Sequence, residues 1–149
     1  FEYEGKVLCT LYDHEPYRNV FPDDPADPDY DEDAAREGEA AAQEENERIL
    51  GFMQDADIVV YDTQYTREEY LGSKLGWGHS SFEHAINSAH KAGVKHLVFF
   101  HHDPVRSDAE LRALLGQYRQ QTAGKTSMQI DVAAERETFV ICDGPVTSR

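Results

Sequence analysis

The sequence predicts a layered α/β domain. Three observations carry that reading: short apolar runs bounded by turn residues, helix-favouring segments with capping residues at their starts, and a strand, helix, strand, helix alternation through the second half of the chain. Phe1-Glu2-Tyr3 runs through Glu4-Gly5 into residues 6–12, which reads as a hairpin. A chain opening directly on a strand leaves an edge that invites association, so truncation, processing or a complementing chain is the expected account. Pro22, Pro25 and Pro28, set among aspartates, make residues 18–31 an extended, solvated loop. Residues 31–54 are rich in Ala, Glu and Gln. They read as a helix that projects and docks only by its end, where Ile49, Leu50, Phe52 and Met53 lie. Residues 57–62 form a buried strand, and a loop follows. Ser80 with Glu83 reads as a capping box, with Phe82, Ala85, Ile86 and Ala89 on one face before Gly93 stops the helix. Residues 94–100 are the next strand, and Ser107 with Glu110 is a second capping box before the stripe Leu111, Leu114, Leu115 and Tyr118. Residues 128–132 and 138–142 are weaker strands, and the tail from Asp143 is expected to be loose.

With 149 residues and 40% apolar content, the chain can supply one ordinary core. A formal charge of -15 repels a polyphosphate backbone, so bulk charge gives nucleic-acid binding no support, and any phosphate chemistry must come from metals. Cys9 and Cys142 are isolated and read as buried strand residues, neither a disulfide framework nor a zinc knuckle. No apolar run approaches the roughly 20 residues of a membrane span and no basic leader precedes one, so a soluble, cytoplasmic protein is expected. The acidic stretch reads as a solvated face, with a docking surface for a basic partner as the rival.

Polar clusters sit just after apolar strands: Asp13-His14-Glu15, then Asp62, then His101-His102-Asp103. Strand ends in layered α/β proteins are where a rigid sheet aims side chains into a cleft. Carboxylate plus imidazole there is a ligand set for zinc, manganese or iron, although no compact metal motif is present. A fourth cluster, Gly76-Trp77-Gly78-His79-Ser80-Ser81, places His79 at a helix amino terminus. That position favours the neutral imidazole, and a neighbouring carboxylate, with Asp62 the candidate, would reverse it and poise His79 to donate a proton. The bland alternative is a histidine that only satisfies a turn.

Taken in order, "LYDHEP", "VVYDTQY", "GWGHSS" and "LVFFHHDP" resemble the second half of metallo-β-lactamase-fold phosphodiesterases and ribonuclease Z-like enzymes. The resemblance implies the carboxy-terminal half of a four-layered αββα sandwich, a mixed sheet with helices on its outer face. By the same resemblance Asp13 bridges two metals and His101, in preference to His102, binds one of them. His79 is the general acid, and Asp62 orients it where ribonuclease Z has glutamate. The intervals of 17 residues from Asp62 to His79 and 22 from His79 to His101 agree with the family pattern. The longer one from Asp13 to Asp62 then makes residues 18–48 or so an acidic insertion in a portion spanning 1–142, with 143–149 as tail. The implied activity is cleavage of a small phosphodiester by metal-activated water, using two divalent ions, zinc first and manganese or iron as alternatives.

The family's principal histidine-rich metal motif is absent, as is a further histidine preceding the bridging aspartate. The chain by itself is therefore expected to bind metal weakly and to be inactive, with a missing amino-terminal half or complementing chain as partner and exchange between two copies as another route to cover its strands. A rival from another class is a binding or regulatory module that keeps the sandwich without catalysis; the weakest is an α/β domain with structural strand ends. His14, Glu15, His102 and Asp103 are candidates to touch or orient the ligands, the last two by hydrogen bonding to His101. Trp77, Tyr65 and Tyr70 are possible pocket residues. His84, His90 and His96 are read as surface residues without function.

Overall fold

A computed structural model describes residues 1–141 and the strand Thr147–Ser148. β1 (Glu2–Tyr3) and β2 (Lys6–Leu11) pair antiparallel across a two-residue turn in which Glu4 (φ 49°) and Gly5 (φ 73°) both adopt left-handed backbone. That is the geometry whose twist matches flanking strands, and it confirms the hairpin. β3 (Ile58–Asp62), β4 (His96–Phe100) and β5 (Gln129–Val132) continue the sheet parallel to β2, in the order β1-β2-β3-β4-β5. The product is a mixed five-stranded α/β sheet.

Parallel neighbours in sequential order need a crossover each time, and right-handed crossovers put every connecting helix on the same side. The packing agrees. Cys9, Val59, Leu97 and Ile130 form one cross-strand row and Leu11, Tyr61, Phe99 and Val132 the next. Both rows pack in one core with side chains of α1 (Glu32–Phe52), of α3 (Phe82–Lys91) and of α4 (Asp108–Thr122). Phe82 anchors this core, edge-on to Phe99 at 5.0 Å and stacked on Tyr118 at 5.5 Å. The opposite face holds a smaller cluster of Ile58 and Val98 with Leu8, Val60, Ala133, Phe139 and Ile141.

Several boundaries differ from expectation. The cap of α3 is Ser81, not Ser80: its side chain accepts from the His84 N–H, and Glu83 instead accepts from the Arg67 N–H (2.8 Å) and the Tyr118 hydroxyl (2.8 Å). The stretch taken as a loop after β3 contains α2 (Arg67–Glu69), opened by a Thr66–Glu69 capping box, and a π-helical turn (Tyr70–Lys74). α1 does more than dock by its end. The loop before it folds back along the helix through an exchange between Asn46 and the Tyr17 backbone, at 3.0 and 2.8 Å, and Gly38 leaves room for Asn19 and Phe21. The supposedly loose tail contributes β7 (Thr147–Ser148), paired antiparallel with β6 (Phe139–Val140). Cys9 is buried as expected, whereas Cys142 lies outside the described residues. His96 is not a surface residue: it has no exposed area, and its Nε2 lies 2.7 Å from Asp131. Among the described residues no helix is long and apolar enough to cross a membrane.

Candidate functional site

Three parallel strands deliver the polar clusters to one edge of the sheet. β2 leads to Asp13, β3 ends in Asp62 and β4 leads to His101, all at the carboxy-terminal ends, where side chains project beyond the sheet. The fourth group, His79, comes from the segment before α3. Tyr65 pins that segment to the end of β3: its N–H donates to the Ser80 carbonyl (3.2 Å) and its own carbonyl accepts from Phe82 N–H (2.9 Å).

One potential ligand atom from each of Asp13, Asp62, His79 and His101 falls within 4.8 Å of the other three. Exposure grades inward: the side chains of Asp13, His101 and His79 are 73%, 37% and 20% exposed, and Asp62 is wholly buried. At the base, His79 Nδ1 lies 2.8 Å from Asp62 Oδ2. A carboxylate only accepts, so Nδ1 carries the proton and Nε2 is left free of this bond. The same Oδ2 accepts the His14 N–H at 3.1 Å, while Oδ1 is buried with no partner among the described residues. At the mouth, His101 Nε2 stands 3.4 Å from Asp13 Oδ1, and its Nδ1 is 3.8 Å from Asp62. The imidazoles of His79 and His101 lie close together, 4.6 Å between centroids with their planes tilted by 36°.

Asp13 (φ 47°) and His101 (φ 57°) both adopt left-handed backbone, which costs a non-glycine residue about 1 kcal/mol or more. His101 follows directly on the end of β4 and Asp13 lies two residues beyond β2, and both bring a potential ligand atom into the same cluster. Strain held at two converging positions is a feature of sites under functional constraint.

No protein-family model matches the chain, and a search of curated proteins finds no match either.

The remaining sequence candidates separate clearly. His14 reaches the cluster through its backbone N–H; its ring packs against Tyr17 and Tyr61, and burial lowers its pKa against the pull of Asp62 and Glu15. Neither His102 nor Asp103 hydrogen-bonds His101 among the described residues. Burial lowers the His102 pKa, and Asp103 Oδ1 accepts from the Val105 N–H in a turn. Trp77 is 60% exposed with the Lys74 ammonium 3.7 Å above its ring, so it is neither core packing nor a closed pocket wall. Tyr65 is buried beside the His79 ring, and Tyr70 donates its hydroxyl to Glu15 at 2.9 Å.

Glu15 was undervalued by the sequence. Its carboxylate accepts the N–H groups of Gly76 (2.6 Å) and Gly78 (2.8 Å) as well as the Tyr70 hydroxyl. Burial works to raise its pKa, yet these bonds and nearby Arg18 together hold it below the usual carboxylate range. Burial and the same contact push Tyr70 up to about 12. The available signal was an acidic residue two positions after Asp13 together with a Gly-x-Gly run just before His79, whose backbone N–H groups need acceptors.

Proposed function

We propose that this chain carries part of the active site of a metal-dependent hydrolase that cleaves a phosphodiester, with His79 as general acid. The observation that supports it most is the convergence of Asp13, Asp62, His79 and His101, drawn from positions spread over most of the sequence, with their ligand atoms inside 4.8 Å.

The donor set fits a divalent ion. Imidazole nitrogen and carboxylate oxygen both bind zinc at about 2.0–2.1 Å, which puts two tetrahedral ligands about 3.4 Å apart. The separation of His101 Nε2 from Asp13 Oδ1 is 3.4 Å. Asp13 and His101 would hold the ion, zinc in preference to manganese or iron, and it would supply Lewis-acid activation of water and offset charge building on phosphorus. A second ion and further ligands would come from a partner layer, an amino-terminal half or a complementing chain. Contact with that layer would be near the site end, where Tyr12 and Phe100 are exposed; the helices cover one face of the sheet, and Ala133, Phe139 and Ile141 pack on part of the other. On this reading the sheet is half of an αββα sandwich.

The protein groups divide the proton work. Asp62 fixes the His79 tautomer and offsets the charge of its imidazolium. The imidazolium of His79 then hands the proton of its other ring nitrogen, Nε2, to the departing alkoxide. Replacing His79 with alanine in the metal-loaded protein should lower turnover of a small phosphodiester by about 10²- to 10⁴-fold with metal content retained. Loss of metal in that variant would make His79 a ligand instead. A stable assembly with its partner layer that binds no metal would favour a non-catalytic module.

A further inference from the structure

We propose that Glu15 is the positioning residue for His79: its carboxylate clamps the glycine loop before His79 and thereby keeps the imidazole on Asp62. The inference rests on the reading of His79 as proton donor. Among the described residues the loop's other contacts are few: Arg18 lies against Gly76 and the Lys74 ammonium sits over the Trp77 ring. Gly76 (φ 81°) and Gly78 (φ 87°) adopt backbone that other residues avoid, and a Cβ at Gly78 would meet nothing within 4 Å. Trp77 between them is exposed, and its N–H makes only a local bond to the Lys74 carbonyl at 3.2 Å. Against this, Glu15 Oε1 takes the Gly76 N–H and the Tyr70 hydroxyl while Oε2 takes the Gly78 N–H, one residue before His79. Hydrogen bonds to an ionised carboxylate are roughly twice as strong as neutral ones.

The clamp also shares its anchor with the cluster. Glu15 lies on the segment that supplies Asp13 and whose His14 N–H donates to Asp62. One short stretch therefore references Asp13, Asp62 and the His79 loop to each other. A glutamine at position 15 keeps the length but puts an NH₂ opposite one of the glycine N–H groups, so one arm of the clamp becomes a donor facing a donor.

The test is proton and nitrogen NMR of the histidine rings in the full chain, comparing the native protein with Glu15→Gln, with Tyr70→Phe and with a His79→Ala control that assigns the signals. The native protein should show a downfield Nδ1–H resonance for His79, as expected of a ring N–H bonded to a carboxylate. In Glu15→Gln this resonance should broaden or vanish, with the melting temperature changed by only a few degrees. Tyr70→Phe, which leaves both glycine bonds, should retain it. Where turnover can be followed with the metal-loaded protein, Glu15→Gln should lower kcat by about 10- to 100-fold with little change in KM, the scale of a 1 Å misplacement. An unchanged His79 resonance in folded Glu15→Gln overturns the clamp. So does loss of that resonance in Tyr70→Phe alone, should Glu15→Gln fail to fold. Turnover that survives His79→Ala would instead sink the reading of His79 as general acid, leaving the NMR result to stand for the clamp.

Discussion

Behind the cluster, His84 on α3 is half-buried near Tyr61, and its Nε2 lies 3.2 Å from the Ser88 hydroxyl. Burial, with His14 and Lys91 adding to it, lowers its pKa to about 4. The unfolded chain, with an ordinary histidine pKa of about 6.5, binds the proton at higher pH than the folded one does. Stability from this group is therefore fully present above about pH 6.5 and is lost as pH falls toward 4. Urea midpoints measured between pH 7 and pH 4.5 should decline for the native protein and decline less for His84→Gln. His14 and His102, also lowered by burial, act in the same direction. Among single residues, Asp13, Asp62, His79 and His101 could be singled out because each follows an apolar run or lies just before a helix, where side-chain type and position are both visible in the sequence. His84 and His96 were not, because their burial depends on which face of the sheet and helix is covered.

At the scale of elements, the aromatic trio of Phe82, Phe99 and Tyr118 seats α3 and α4 on β4. Phe82 is also the second residue after Ser80, so the packing that holds the helix holds the approach to His79. Truncating it to alanine leaves a cavity under two helices and should cost about 3–5 kcal/mol, read as a drop in the denaturant midpoint. Strands were legible as apolar runs, and the capping box of α4 marked its start correctly. The cap of α3 slipped by one because Ser80 and Ser81 are both good caps, and the choice was made by the bridge of Ser81 to Tyr65 and by Glu83 bonding elsewhere. α2 was missed although Thr66 and Glu69 form a capping box, because no apolar face follows it: it is held by Arg106 bonding Glu69 and by Tyr70 bonding Glu15.

The whole molecule brings residues 13, 62, 79 and 101 to one edge, so an ion bound there ties three strand ends together. Anything that binds the native state alone stabilises it, by about 1.4 kcal/mol at tenfold excess over Kd. Zinc or manganese should therefore raise the melting temperature of the native chain, and the double variant Asp13→Ala, His101→Ala should show no such rise in the same titration. An equal rise in both would place the ion elsewhere, among the many acidic groups of a chain carrying -15.

The sequence by itself determined the strands, the principal helices and the polar residues that follow strand ends, because these depend on local hydrophobic pattern, capping and turn chemistry. Only the tertiary structure decided that four of those residues share a cleft, that Asp62 sits at its base, and that Glu15 reaches across to the His79 loop. Those facts depend on strand order, crossover hand and register, which act between residues far apart in the chain and leave no local pattern to read.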